Sequence, residues 1–336
     1  MKRFPGSNLL DFFRLIRLPN LVIVALTMML MRYAIIRPIL HAMPLESLDI
    51  PVDLARMELQ LRWFDFLILV LSTVFITAGG YVINDYFDIR TDLINRGSVI
   101  VGNTIPRRTA MMYHNVFNFI GVAGGFYIGI RIGYWWLGVM FLLISGLLYF
   151  YSTTYKRQFL IGNFIVALLT ALVPFLVVLC DALPVHKFYS VRAESFPGVS
   201  ILFYWVGGFS LFAFLTTLIR EIVKDIEDYD GDFALGRKTL PVVSGILTAR
   251  VVVVLLALIE IILLYLVWYK YLSNRITLAY ITLFLSVPFV LVIVKIITGK
   301  TKKAFHSVSL LVKIIIVAGI LYSVVAGAII TTGKVY

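Results

Sequence analysis

Long apolar stretches separated by short polar segments dominate the chain. A run of ~20 apolar residues is long enough for a helix to cross the ~30 Å hydrocarbon core of a bilayer. Because lipid offers the backbone no hydrogen-bond partner, each such run is predicted to be a helix rather than a strand. About nine spans are predicted, near residues 18–36, 63–83, 109–130, 134–151, 160–180, 199–219, 247–269, 276–298 and 307–330.

The polar segments between these runs are too short to form a soluble domain. We therefore expect one transmembrane domain over residues 1–336 and an all-α, polytopic fold. Residues 42–62, with two prolines and several acids, are predicted to be an outer loop insertion.

Composition supports a membrane protein and argues against other classes. The chain is 61% hydrophobic and only 14% charged, too apolar for an ordinary soluble domain. Its net charge of +12 is scattered between apolar runs, without the continuous basic stripe that nucleic-acid binding requires, so no nucleic acid is expected. The single Cys180 excludes an internal disulfide.

The distribution of Lys and Arg predicts the orientation. Most of these residues fall in connections on the same side as the N-terminus. Cytoplasmic connections carry the excess positive charge. The expectation is therefore an integral protein of the plasma (inner) membrane with a cytoplasmic N-terminus. Charges inside the spans need partners or must reach the interface, and the sequence leaves the roles of Arg32, Glu260 and Lys313 open.

A first acidic cluster follows the second predicted span. It reads Asn84-Asp85-Tyr86-Phe87-Asp88-Ile89-Arg90-Thr91-Asp92. At ~100° per residue of helix, Asp85, Asp88 and Asp92 fall within roughly 60° of arc. Three carboxylates are therefore predicted on one helix face.

A second acidic cluster follows the sixth span, on the same side of the membrane. Asp225, Asp228 and Asp232 repeat the i, i+3, i+7 spacing.

Two carboxylates 4 Å apart repel by about 4 kcal/mol at an effective dielectric constant of 20, and a cation would relieve this repulsion. Hard oxygen ligands on few side chains favour Mg²⁺, which completes its shell with water and substrate phosphates. Two such clusters could hold two ions that clamp a diphosphate. The alternative is that both are solvated helix ends.

At these residues the chain resembles the UbiA superfamily of membrane prenyltransferases, whose motifs are N-D-x-x-D-x-x-x-D and D-x-x-x-D. Within it, the run from Arg220 to Asp232 is most similar to the subgroup that moves a geranylgeranyl group from its diphosphate to geranylgeranylglyceryl phosphate, including bacterial relatives. The resemblance implies a UbiA-like bundle and Mg²⁺-dependent transfer of an allylic prenyl group to a membrane-associated acceptor.

The resemblance also implies roles for particular residues on the cytoplasmic side. Asp88 and Asp228 are the expected catalytic residues. The expected metal ligands are Asn84, Asp85, Asp88, Asp92, Asp228 and Asp232. Candidates for substrate binding are Asn20, Arg96, Lys156, Arg157 and Lys224.

Two other functions stay open at this point. The acceptor could be an aromatic ring, as in quinone or haem precursors. A cation transporter is the alternative from another class, because intramembrane carboxylates also line ion paths. Against a transporter, the acids cluster at one membrane boundary and not at the midplane.

Overall fold

The computed structural model describes residues 9–43, 57–191 and 198–332, without the side chain of Arg96. Within these ranges the chain is helical, and an isolated bridge between Val101 and Ile105 is the only extended pairing. The helices are α1 (Leu9–Leu15), α2 (Leu18–Ala42), α3 (Trp63–Phe87), α4 (Ile89–Arg96), α5 (Arg107–Ile132), α6 (Trp136–Thr153), α7 (Ile161–Tyr189), α8 (Ser200–Glu227), α9 (Tyr229–Ala234), α10 (Leu240–Ser244), α11 (Ile246–Leu272), α12 (Arg275–Thr298) and α13 (Lys302–Thr331).

Nine helices in the described part of the chain are long and apolar enough to cross a membrane. They are α2, α3, α5, α6, α7, α8, α11, α12 and α13, one for each predicted run. The all-α, nine-span prediction is confirmed. Most of the predicted outer loop, residues 44–56, lies outside the described residues.

The described helices fall into two compact units, and the first contains both acidic motifs. It is built from segments within Met1–Leu26, Trp63–Ile165 and Asp228–Gly245. At its centre α3 packs closely on α5, because small residues line the contact: a methyl group on Gly121 would lie 2.8 Å from the carbonyl oxygen of Ser72. Small residues let helix backbones approach where lipid supplies no hydrophobic driving force. This contact fixes α3, the helix that ends at the first motif.

The second unit is built from segments within Thr27–Arg62, Val166–Glu227 and Ile246–Tyr336. Here α13 uses Gly319 to lie against the ring of Phe212. The charges that the sequence places inside its spans find local partners. Arg32 lies 3.6 Å from Asp181 and donates to the carbonyl of Leu61.

Glu260, whose role the sequence leaves open, has a hydroxyl group as its partner. It accepts a hydrogen bond of 2.6 Å from the hydroxyl of Thr216, and both residues are buried. Among the described residues no cation lies within ion-pair distance of its carboxyl group. A hydroxyl donor satisfies a buried carboxyl oxygen without a second charge.

Candidate active site

Each acidic motif places one aspartate at a break between a long helix and a short one. Asp88 stands between α3 and α4 with φ −89° and ψ 3°, and Asp228 between α8 and α9 with φ −94° and ψ 10°. This region of backbone space is sparsely populated and is common among active-site residues. The sequence did not predict these breaks.

The helical register nevertheless continues through both breaks. The amide of Asp88 donates to the carbonyl of Asn84 at 3.0 Å, and that of Asp92 donates to Asp88 at 2.8 Å. In the second motif the amide of Asp232 donates to Asp228 at 3.1 Å. The i, i+4 spacing of the acids therefore survives, although each helix is interrupted.

Arg237 joins the two motifs. Its guanidinium donates to Asp88 Oδ1 at 2.7 Å and to the hydroxyl of Thr91 at 2.6 Å, and reaches Asp232 Oδ1 at 3.4 Å. Asp88, Asp232 and Arg237 are all at least 90% buried. One cation thus contacts carboxylates of two motifs that lie far apart in the sequence.

Lys156 contacts the other side of the first motif. Its ammonium donates to Asn84 Oδ1 at 2.9 Å and to Asp88 Oδ2. The neighbouring Arg157 is exposed, and its carbonyl accepts from the amide of Lys238 at 3.0 Å. Of the two adjacent cations predicted to bind substrate, Lys156 is the one that touches the acids.

The two buried aspartates, Asp88 and Asp232, differ in pKa. Burial raises the pKa of Asp88, but Lys156 and Arg237 outweigh it, and the pKa falls to about 2. Burial raises the pKa of Asp232 to about 6; Arg237 lowers it and the Asp228 carboxylate adds to the rise. The cations near Asp232 therefore offset the cost of burying its carboxylate less completely than those near Asp88 do.

Asn95 ties α4 to α9. Its side-chain oxygen accepts from the amide of Gly231 at 3.1 Å, and its side-chain nitrogen donates to the carbonyl of Asp228 at 3.4 Å. A methyl group on Gly231 would lie 2.5 Å from that oxygen, so a larger residue here would displace the Asn95 side chain. Gly97, in the left-handed conformation at φ 71°, ends α4 directly afterwards.

The remaining candidates have partners of their own. Arg17 donates to Asp85 Oδ1 at 2.8 Å and covers the ring of Tyr81 at 4.8 Å. Asn20 donates to the Tyr81 hydroxyl at 3.3 Å. Lys224, on α8 in the second unit, pairs with Glu221 at 3.0 Å. The side chain of Arg96 lies outside the described residues.

Sequence reasoning missed the bridging roles of Arg237, Thr91 and Asn95. In the sequence Arg237 is one of many cations in the connections on the N-terminal side, and no motif marks it. The available signal was its position five residues after Asp232, where a buried acid needs a counter-charge.

The oxygen ligands suit a hard cation, although among the described residues no three acidic, histidine or cysteine side chains converge as a metal site. Lys156 already bridges the oxygens of Asn84 and Asp88, and Arg237 bridges those of Asp88 and Asp232. Both pairs of oxygens thus bind positive charge. Carboxylate and amide oxygens are also what Mg²⁺ prefers, so the donor set fits this ion.

Comparison with known proteins gives consistent matches. The UbiA prenyltransferase family matches residues 54–329. The digeranylgeranylglyceryl phosphate synthase of Methanothermobacter thermautotrophicus is 34% identical over 217 residues, which cover 61% of this chain and 68% of the relative. The enzyme of the same name from Methanobrevibacter smithii is 30% identical over 228 residues, covering 68% and 70%.

Solved structures share the fold. A digeranylgeranylglyceryl phosphate synthase structure aligns over 95% of this chain and 98% of its own, with a TM-score of 0.55 and 23% identity. A UbiA homologue from Archaeoglobus fulgidus, bound to DMAPP and Mg²⁺, aligns over 94% and 99%, with a TM-score of 0.52 and 18% identity.

Proposed function

The chain belongs to the UbiA prenyltransferase family and is a prenyltransferase of the membrane, and on that premise we propose its substrates, metal and site residues. The proposed donor is geranylgeranyl diphosphate and the proposed acceptor is geranylgeranylglyceryl phosphate. The allylic carbon–oxygen bond to the diphosphate breaks, a bond forms to the acceptor hydroxyl oxygen, and the hydroxyl proton is released. The names of the curated relatives support this acceptor.

The meeting of the two motifs through Arg237 is the observation that carries the proposal. Asp88 and Asp232 each contact this guanidinium, so one buried cation brings a carboxylate of each motif together. A solvated helix end would not bury its carboxylates, because an isolated buried charge is costly. We infer that these buried acids bind the counter-ions of an anionic substrate.

We propose Mg²⁺ as the metal, held by Asn84, Asp85, Asp88, Asp92, Asp228 and Asp232. The Mg²⁺ in the A. fulgidus homologue supports this choice. When bound, the metal supplies positive charge against the negative charge that grows on the diphosphate as the bond breaks. The chain's own contribution is to orient these oxygens and to exclude water by burial.

We propose that Lys156 and Arg237 also donate hydrogen bonds to the diphosphate when it is bound. Charge-assisted hydrogen bonds to phosphate oxygens are about twice as strong as neutral ones. Arg157, Arg96, Lys224 and Asn20 are the further candidates for substrate binding from the sequence. The ring of Tyr81 already carries the Arg17 guanidinium on its face, and such a face would also stabilise an allylic cation.

The proposed orientation puts the N-terminus and the active site on the cytoplasmic face of the plasma (inner) membrane. The excess of Lys and Arg in connections on that side supports it. Labelling of single cysteines introduced near Arg107 and near Trp135, with a membrane-impermeant thiol reagent in intact cells, tests it. Labelling at Arg107 from outside would contradict the orientation.

The acceptor is tested with purified protein in nanodiscs. Radiolabelled geranylgeranyl diphosphate is supplied with geranylgeranylglyceryl phosphate, with an aromatic quinone precursor or with a haem precursor, each with Mg²⁺ and with a chelator. We expect product only with the glyceryl phosphate and only with Mg²⁺. Product formed only on an aromatic acceptor would contradict the lipid assignment, and metal flux through liposomes without diphosphate release would indicate a transporter.

A further inference from the structure

A cleft of about 580 Å³ opens in the first unit beside the first motif. One face of α5 forms most of it, and α3 contributes Tyr86, the residue next to Asp85. The lining residues are Tyr86, Arg107, Arg108, Met111, Met112, Asn115 and Val116. The spacing along α5 puts them on one helix face, one turn above another.

The cations of this cleft differ from those of the active site. Lys156, Arg237 and Arg17 each contact a carboxylate. Arg107 and Arg108 are exposed, and within the described residues no carboxylate pairs with either of them. The Arg107 guanidinium lies 4.9 Å from the centre of the Tyr86 ring, which orients it at the wall of the cleft. Two adjacent guanidinium groups favour an anion that accepts several hydrogen bonds, such as a phosphate.

The face of α5 becomes apolar directly beyond the two cations. Met112 and Val116 are 53% and 45% exposed, and Phe119 one turn later is 75% exposed. At 1.5 Å per residue, Val116 lies about 12 Å along the helix from Arg108. The surface therefore offers a charged end followed by an apolar strip, which is the profile of a lipid with a phosphate headgroup and a long chain. Asn115 adds one polar group between them.

Two other basic residues, Arg220 and Lys224 of the second unit, are already paired. Arg220 and Lys224 each lie 3.0 Å from Glu221. A phosphate bound by Arg220 and Lys224 would compete with the Glu221 carboxylate. Arg107 and Arg108 pair with no carboxylate of the described residues, so a phosphate would meet no such competition. Charge complementarity thus favours the cleft on α5.

We propose that this cleft binds the phosphate of the lipid acceptor, with Arg107 and Arg108 as its ligands and the isoprenoid chain along Met112 and Val116. The inference rests on the proposed function and names where its acceptor binds. It separates the two anions of the reaction: the diphosphate of the donor is held by the paired motifs, and the phosphate monoester of the acceptor is held here. Tyr86 connects the two places, since it lines the cleft and lies between Asp85 and Asp88 in the sequence.

The test compares Arg107→Gln/Arg108→Gln with wild type in nanodiscs of zwitterionic lipid. The KM for geranylgeranylglyceryl phosphate should rise about tenfold, the worth of a lost charge-assisted hydrogen bond or two at an exposed site. The KM for geranylgeranyl diphosphate should not change. Arg107→Lys/Arg108→Lys retains the charge but not the forked donors, so its KM for geranylgeranylglyceryl phosphate should lie between those of wild type and the Gln variant. The matched control Lys300→Gln/Lys303→Gln removes two exposed cations from the second unit and should leave both KM values unchanged.

Two further measurements complete the test. The first distinguishes the acceptor phosphate from the phosphate of bulk lipid, and the second tests the site even if the proposed function is wrong. Wild type and variant are also assayed in nanodiscs rich in phosphatidylglycerol; a difference that arises only there would mean that the cleft binds bulk anionic lipid, and would overturn the acceptor site. Equilibrium binding of geranylgeranylglyceryl phosphate is measured without donor. If wild type forms no product, the proposed function fails, and weaker binding by the Gln variant still supports the site. Equal binding and equal KM values in wild type and variant would overturn it.

Discussion

Arg237 donates a hydrogen bond of 2.7 Å to Asp88, although 149 residues separate them in the sequence. The same guanidinium lies 3.4 Å from Asp232. An arginine suits this position because its planar fork reaches two carboxylates at once, which a lysine ammonium cannot do with the same geometry. This contact makes the two motifs parts of one site.

Removal of Arg237 should therefore damage both stability and transfer. Arg237→Gln leaves Asp88 buried with Lys156 as its remaining cation. Breaking a buried ion pair costs about 3–5 kcal/mol, so thermal unfolding in detergent should shift to lower temperature and the transfer rate should fall steeply. Arg237→Lys should recover part of the stability and less of the rate. A variant with wild-type unfolding and wild-type turnover would show that the bridge is dispensable.

The adjacent cations Lys156 and Arg157 should differ in their importance. Lys156 contacts Asn84 and Asp88, whereas the Arg157 side chain is exposed. Lys156→Gln should lower kcat/KM by roughly 100-fold, as expected for the loss of about 3 kcal/mol of charge-assisted hydrogen bonding in a buried site. Arg157→Gln is the matched control and should lose less than tenfold. Steady-state kinetics with varied geranylgeranyl diphosphate measure both, and equal losses would contradict the assignment.

Asn95 and Gly231 should act as one unit. Asn95→Ala removes two hydrogen bonds between α4 and α9, and Gly231→Ala displaces the same side chain. Each should destabilise the protein by about 1–3 kcal/mol. Their effects should not add in the double variant, because both break the same contact. Gly146→Ala, at a position with no neighbour within 4 Å, is the control and should be close to neutral. Full additivity would mean that the two residues act independently.

The sequence predicted the membrane architecture well, since hydropathy reports directly on the spans that lipid requires. All nine runs correspond to helices, although α2 continues to Ala42 and α8 to Glu227, beyond the predicted ends at 36 and 219. Those extensions are polar or mixed in character. Apolar windows end where charge begins, whereas a helix ends where its backbone hydrogen bonding stops.

The acids were predicted more completely than their partners. The spacing of Asp85, Asp88 and Asp92 is visible in one short segment. The contacts of Arg237 and Asn95 join segments more than 100 residues apart, and no local pattern encodes such a pairing. Lys156 is a candidate through the family resemblance, as a cationic donor for phosphate oxygens, whereas its contact with Asp88 depends on how α3 and the turn after α6 pack.

The reaction step proposed for the two motifs is joint binding of the diphosphate, followed by its release. It is tested most directly by Mg²⁺-dependent release of diphosphate from geranylgeranyl diphosphate in the presence of geranylgeranylglyceryl phosphate. Wild type is compared with Asp88→Asn, Asp228→Asn and the control Asp230→Asn, an exposed acid of the second motif. We expect release to be lost in the first two, with membrane insertion intact, and to be retained in the control. Near-normal release by both Asp88→Asn and Asp228→Asn would contradict this proposal and would leave the two motifs with a structural role alone.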